Sequence, residues 1–259
     1  MKKLVLLLAA ITLLAACNRN KLADFSIKTL KVCDSVQFTD LDPDMWYVSD
    51  KSFYTCEVDE PVTRNHALKD SILAWMRNQM IDTVIGSDNI FDLMKVDMKV
   101  SLEEGNTEPG YMTETYLKLR EVTDRYITYS EDSYLYFGGA HGMPFYYCAT
   151  FDRNTGARFS FNMFKNHDAL CELVEQGIIE QHFGEEFTEE NFDIDMMLLL
   201  GEDEAFPLPG TDPWIENDSV HFIYSPYEIA AFAAGMPECA FPYSVIEKFL
   251  TEEGKAFFQ

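Results

Sequence analysis

The chain has 259 residues and a formal net charge of −24 at pH 7, because 44 Asp and Glu outnumber 20 Lys and Arg. Its apolar and aromatic content is that of a folded globular protein and not of a disordered acidic tail. So strong a negative charge repels nucleic acid and anionic lipid surfaces, which excludes nucleic-acid binding, and it favours basic partners or cations.

The first residues predict an export signal. Met1–Lys3 is basic and Leu4–Ala16 is an uncharged apolar run of 13 residues, shorter than the roughly 20 that a bilayer-spanning helix needs. An uncleaved anchor is the alternative. The sequence Leu-Ala-Ala-Cys at Leu14–Cys17 resembles the lipobox of bacterial lipoproteins, which implies a signal peptide over residues 1–16 and a lipid on Cys17. We therefore expect an exported chain, lipid-anchored in the bacterial cell envelope on its periplasmic or surface face.

After the lipidated cysteine and a tether (residues 17–24), the alternating pattern of Phe25–Phe38 predicts a strand. Lys51–Val58 is predicted to be a second strand that pairs with the first, and the turn at Asp40–Asp44 separates them. Helical spacing of apolar residues then predicts a helix capped by Thr63 or Asn65 and running to about Met80, and a second helix over residues 90–102.

The second half changes to a period of two, which indicates long antiparallel strands. The predicted strands are Tyr116–Val122, Arg125–Phe137, Tyr146–Phe151, Ala157–Phe161, Val220–Tyr224 and Glu238–Phe241. The predicted helical segments are Asn166–Gly184, Phe192–Leu200, Glu228–Ala234 and Pro242–Leu250. Strands with helices inserted between them, without regular βαβ alternation, predict an α+β fold with a largely antiparallel sheet and helices packed on it.

Five cysteines follow Cys17, and an exported protein meets an oxidising compartment. Cys33 and Cys56 fall in the first two predicted strands, so we expect them to form a disulfide. Cys148 and Cys171 lie in apolar-patterned elements and are interpreted as core residues.

Two segments have a distinctive sequence. The first reads YLYFGGAHG at Tyr134–Gly142 and is followed by Phe151-Asp152 and Thr155-Gly156. The second reads FIYSPYEIA at Phe222–Ala230 and is followed by Ala233–Gly235 and Pro242-Tyr243. Together they resemble the RsiV-like domain, an extracellular domain shared by the lysozyme-sensing anti-sigma factor of Gram-positive bacteria and by the peptidoglycan deacetylase PdaC.

The resemblance implies a PdaC-like N-terminal half over residues 25–125 and an RsiV-like C-terminal half over 126–259. It departs from the family pattern at Phe137, where a small hydroxyl residue is common, and at Ala231-Phe232, where Pro-Tyr is common. What it implies for function is a sensing or binding domain. Residues 166–247 contain 19 Asp or Glu and no Lys or Arg, which is either a solvated acidic face or a field that steers a basic partner.

Two loops are candidate ligand sites. The glycines between Tyr136 and Gly142 form either an anion-binding nest beside His141 or a tight turn in which glycine supplies a positive φ. The loop Ser225–Tyr227 presents a rigid aromatic side chain, although the aromatic cluster around it also reads as core. The candidate ligand-binding residues are Tyr136, Gly138, Gly139, His141, Gly142, Tyr224, Pro226 and Tyr227.

No catalytic or cofactor motif stands beside these loops. The sequence has no zinc-type histidine spacing, no P-loop and no G-x-S-x-G, and the calcium-like start at Asp40 fails because Met45 replaces the required glycine. We expect no cofactor and no metal. The preferred hypothesis is a non-catalytic lipoprotein that binds a basic protein such as lysozyme, or a cell-wall glycan. The alternatives are an envelope hydrolase or deacetylase using His141 or a carboxylate, and a purely structural component.

Overall fold

The computed structural model describes residues 24–42, 44, 48–80, 89–104, 107–184, 199–200 and 205–259. The predicted signal peptide, Cys17 and nearly all of the tether lie outside the described residues, as does most of the helix predicted over 192–200. The described chain forms two compact units. The first comprises the residues up to Leu119 together with Tyr129–Tyr146, and the second comprises Arg120–Thr128 and Tyr147–Gln259.

The first unit contains a five-stranded sheet with the strand order β1-β2-β3-β4-β5. Parts of β3, β4 and β5 belong to the second unit. The strands of this sheet are β1 (Phe25–Gln37), β2 (Lys51–Thr63), β3 (Met112–Val122), β4 (Tyr126–Tyr136) and β5 (Met143–Asp152). Strands β1 and β2 pair antiparallel along their whole length, whereas β2 and β3 pair parallel because two helices carry the chain across between them. The predicted α+β class is confirmed.

The two crossover helices are α1 (His66–Asn78) and α2 (Ile90–Lys99), and α2 continues as a π-helical segment, Val100–Glu104. Each begins at an asparagine whose side chain satisfies backbone N–H groups left free by the first turn. Asn65 accepts from Leu68, and Asn89 accepts from Phe91 and Asp92. Helix α1 packs on β2, and α2 packs on both β1 and β2.

The register of β1 and β2 corrects the predicted disulfide. Cys56 lies opposite Val32, and Cys33 lies opposite Thr55. Because successive side chains of a strand point to opposite faces, Cys33 and Cys56 point away from each other, and both are free thiols in the structure. Cys56 is fully buried on the face covered by the helices, while Cys33 lies on the opposite face.

The second unit contains a three-stranded antiparallel sheet made of β6 (Trp214–Glu216), β7 (Ser219–Ile223) and β8 (Glu238–Pro242). Its helices are α3 (His167–Gly177), the π-helical extension Ile178–Phe183, and the short α4 (Tyr243–Ile246) and α5 (Glu252–Lys255). Single 3-10 turns occupy Phe161–Met163, Phe232–Ala234 and Glu247–Phe249. Its core is rich in aromatic rings, among them Phe159, Phe164, Phe222, Tyr224, Phe241 and Phe257.

Several predicted elements differ in the second unit. The strand predicted at 157–161 is reduced to one bridge between Phe151 and Arg158, and the helix predicted at 228–234 is reduced to the 3-10 turn Phe232–Ala234. Asn166 precedes α3 but makes no side-chain cap, because its backbone is left-handed with φ 57°. Strand β6 was not predicted, since three residues are too few to show a period. Within the described residues, no helix combines the length and apolar character needed to span a bilayer.

Candidate functional site

The four residues Ser225–Glu228, here called the Tyr227 turn, follow β7 in the second unit. Tyr227 has a left-handed backbone with φ 68°, and its side chain is 48% exposed. For a residue with a Cβ this conformation costs roughly 1–2 kcal/mol. Such strain persists only where the surrounding structure enforces it. The turn therefore presents an aromatic ring to solvent at an energetic cost.

Glu228 is the residue that enforces the turn. Its Oε2 accepts a hydrogen bond from the backbone N–H of Ser225 at 2.8 Å, and its Oε1 accepts one from the N–H of Gly210 at 2.5 Å. The N–H of Glu228 in turn donates to the carbonyl oxygen of Ser225 at 3.0 Å. One carboxylate thus closes the turn and ties it to the segment around Gly210.

Tyr224 supports the turn from the core. Its side chain is fully buried, its hydroxyl donates to the carbonyl oxygen of Pro207 at 2.7 Å, and its ring packs edge-on against Phe206. Burial raises the pKa of this hydroxyl well above its usual range. The expectation that Tyr224 contacts a ligand is therefore corrected, because no part of its ring reaches the surface. Pro226 is half-buried beside it.

The ring of Tyr227 has an aromatic neighbour. The ring centroids of Tyr227 and Phe232 are 5.7 Å apart. Phe232 opens the 3-10 turn Phe232–Ala234, and the carbonyl oxygen of Ala234 lies 2.9 Å from Nε2 of His182, in the extension of α3. The exposed ring of Tyr227 and the partly buried ring of Phe232 are therefore adjacent, each on a segment fixed by hydrogen bonds. Aromatic side chains at a surface are common centres of protein contacts.

The second candidate, here called the glycine loop, spans Tyr136–Gly142 in the first unit. Gly138 and Gly139 have φ of 88° and 91°, and the hydroxyl of Tyr136 donates to the carbonyl oxygen of Gly139 at 3.0 Å. These glycines adopt without strain the conformation that costs Tyr227 energy. This geometry fits a tight turn in which glycines supply the positive φ, which is one of the two interpretations that the sequence allowed.

Gly142 has a different role, because a Cβ at this position would collide with the ring of Tyr134. The absence of a side chain lets that ring lie over the loop. Beyond it, Phe137 is 54% exposed and packs edge-on against Tyr111, with ring centroids 5.5 Å apart. The loop therefore also carries exposed aromatic surface.

His141 was the candidate general base. Its ring is exposed, and its Nδ1 lies 2.9 Å from the carbonyl oxygen of the adjacent Gly142. This contact lies within its own loop and helps to orient the ring. Within the ranges that the structure describes, no group of three or more His, Cys, Asp or Glu side chains could hold a metal ion.

Sequence reasoning missed Glu228 as a functional residue. The signal was present, because Ser225 and Glu228 have the S-x-x-E spacing in which a glutamate reaches back to the backbone N–H three residues earlier. The left-handed backbone of Tyr227 had no sequence signal, since tyrosine is not a residue that favours it.

The Tyr227 turn lies within the segment that matches a family model. Residues 162–244 match the family model of a protein of unknown function, DUF3298. This DUF3298 segment lies entirely in the second unit and contains α3, all three strands of the smaller sheet and the Tyr227 turn. No curated protein matched the chain in sequence.

Two solved structures of DUF3298 proteins share the fold. A member from Bacteroides fragilis NCTC 9343 is 17% identical, with a TM-score of 0.70 over 90% of this chain and 96% of its own. A protein from Pseudomonas aeruginosa PAO1 is also 17% identical, with a TM-score of 0.57 over 87% of this chain and 95% of its own. At this identity the likeness shows the fold alone.

Proposed function

We propose that the chain is a lipoprotein of the bacterial envelope, anchored through Cys17, whose second unit binds a basic protein of the c-type lysozyme kind. The observation that carries the proposal is the exposed ring of Tyr227, held in a left-handed turn by Glu228. Strained backbone that displays a side chain is more often kept for contact than for stability.

The charge distribution supports a basic ligand. The turn lies in the stretch from residue 166 to 247, which has 19 acidic residues and no Lys or Arg. Such a field speeds the encounter with a cationic protein, while the buried centre of the contact supplies most of the affinity. Tyrosine at such a centre contributes a large rigid ring with little loss of conformational freedom.

The tether fits the same function. The tether runs from Cys17 to Asp24, the first residue that the structure describes. Seven fully extended residues span at most about 25 Å. A lipid on Cys17 would therefore keep the folded units close to the membrane surface. The resemblance to the RsiV-like domain adds the ligand class, since that family includes a lysozyme sensor.

The direct test titrates residues 18–259 with a c-type lysozyme by calorimetry at low and at moderate salt. We expect saturable binding with a Kd that is micromolar or tighter and that survives moderate salt, because surface charge alone is screened within about 10 Å at 0.1 M salt. Affinity that disappears with salt would mean charge attraction only. Absence of binding would refute lysozyme as the ligand, and titration with cell-wall glycan fragments would then test the remaining ligand class.

A matched pair of variants locates the contact. Tyr227→Gly removes the ring and fits the left-handed backbone, so the turn keeps its shape while affinity falls by about tenfold or more. Asn217→Gly is the control, because Asn217 is also left-handed, with φ 52°, in the β6–β7 turn, and its loss changes no charge or aromatic group. Equal affinities for both variants would place the contact elsewhere.

A further inference from the structure

The face of the larger sheet that α1 and α2 cover contains acidic groups as well as apolar ones. Glu131 of β4 and Asp97 of α2 are each only 5% exposed. Buried carboxyl groups are rare unless they are paired, because the charged form loses its hydration. Together with Tyr54 and Cys56 of β2 they form what is here called the buried acidic cluster.

Glu131 lies in a chain of hydrogen bonds that reaches α1. The hydroxyl of Ser133 is 2.5 Å from Glu131 Oε1. Gln79, at the C-terminal end of α1, satisfies both of its amide atoms when its nitrogen donates to Glu131 Oε2 at 2.8 Å and its oxygen accepts from Trp75 Nε1 at 3.0 Å. The carboxyl group of Glu131 therefore holds the end of α1 to the sheet.

The other charged and titratable groups of the cluster come from α2, β2 and α1. The hydroxyl of Tyr54 donates to Asp97 Oδ2 at 2.5 Å. Burial, and after it the nearby charge of Asp97, raises the pKa of the Cys56 thiol to about 12, and Glu131 acts on the same thiol in the same direction. Arg77 is the basic residue of α1 next to this end, and its Nε is buried.

Both protonation states of Glu131 can be accommodated by the same partners. As a carboxylate, it accepts from Ser133 and from Gln79. As a neutral acid, it can donate its proton to the hydroxyl oxygen of Ser133, which accepts as readily as it donates. A site that satisfies both states can gain and lose a proton without rearranging its neighbours.

We propose that Glu131 is a proton-binding site beneath α1. Its protonation in acid stabilises the first unit, and this stabilisation is lost as the pH rises to neutrality. The physical cause is burial, which raises the pKa of this carboxyl group to about 7. The Ser133 hydrogen bond has a smaller opposite effect, and the charge of the neighbouring Asp132 adds to the rise. The unfolded chain releases the same proton near pH 4.3. Since the folded value is the higher one, the stabilisation is complete below the unfolded value, declines as the pH rises between the two, and is gone above about 7.

The test compares residues 18–259 with the Glu131→Gln variant by urea unfolding from pH 5 to pH 8. We expect the unfolding equilibrium constant of the unmodified protein, divided by that of the variant, to rise by at least about tenfold over this range and to level off above neutrality. Glu57→Gln is the matched control. A hydrogen bond from Lys118 lowers the pKa of the Glu57 carboxyl, so the stabilisation by Glu57 is lost only in acid, with the opposite sign.

A second measurement uses only the unmodified protein and so does not depend on whether a variant folds. The side-chain carboxyl carbon of Glu131 is followed by NMR in the unmodified protein as the pH is raised, and we expect its titration midpoint near 7. A midpoint in the ordinary range near 4, or identical pH dependence of the unmodified protein and Glu131→Gln, would overturn the proposal.

Discussion

The glycine loop of the first unit and the Tyr227 turn of the second use the same left-handed backbone with different residues. In the glycine loop, Gly138 and Gly139 adopt positive φ at no steric cost. In the Tyr227 turn, a tyrosine adopts it, and a carboxylate that accepts two backbone N–H groups holds it there. The first loop therefore has the shape that its residues prefer, whereas the second has a shape imposed on it.

This difference separates two candidates that the sequence ranked together. Exposed aromatic rings occur in both loops, at Phe137 and at Tyr227, so exposure alone does not distinguish them. Backbone strain distinguishes the two loops, because a glycine at position 227 would form the same turn more easily and would lose only the ring. We infer that the ring is the reason for the turn, and this inference places the proposed contact in the second unit.

The largest effect on stability is expected from Glu228→Ala. The change leaves the N–H groups of Ser225 and Gly210 without their charged acceptor, and we expect a loss of about 2 kcal/mol in the free energy of unfolding. Urea unfolding measures it. Glu228→Gln keeps the side-chain length and one acceptor oxygen, so it should cost less than half as much. If Glu228→Ala caused no measurable loss, the carboxylate would not be what holds the turn.

In the glycine loop, Gly142→Ala should cost about 1–2 kcal/mol, because the added Cβ pushes the ring of Tyr134 out of its place. The control is the same change in a Tyr134→Ala background, where nothing remains to be displaced. A double-mutant cycle by urea unfolding gives the coupling. Additive effects would contradict the contact.

The smallest effect measures the strain itself. Tyr227→Gly and Tyr227→Ala both remove the ring, but only alanine keeps the steric cost of the left-handed backbone. We expect the glycine variant to be more stable than the alanine variant by about 1 kcal/mol in the free energy of unfolding. If the alanine variant were equally stable, the strain would be no larger than the entropy that glycine loses on folding, and the comparison between the two loops would fail.

Much of the first unit could be predicted from the sequence. The alternation of Phe25–Phe38 and the helical spacing after Asn65 follow from burial on one face, and the strands and helices appear within a few residues of the predicted bounds. The Cys33–Cys56 disulfide was wrong because neighbouring strands do not reveal their register, and a shift of one residue moves a side chain to the other face.

The second unit was harder to predict because short elements with tertiary contacts replace long periodic ones. Strand β6 has three residues, and the segment 228–234 is organised by the Glu228 carboxylate more than by helical propensity. Tyr227 and Tyr224 stand three residues apart in one motif, yet one is exposed and the other is in the core. That distinction depends on the backbone of the turn, which the residue types alone do not indicate.

The central claim, that the Tyr227 turn is the binding surface, is tested most directly by hydrogen exchange of residues 18–259 with and without saturating c-type lysozyme. The account predicts slower exchange over residues 225–232 in the complex and unchanged exchange over the glycine loop at 136–142. Protection of the glycine loop without protection of residues 225–232 would contradict it.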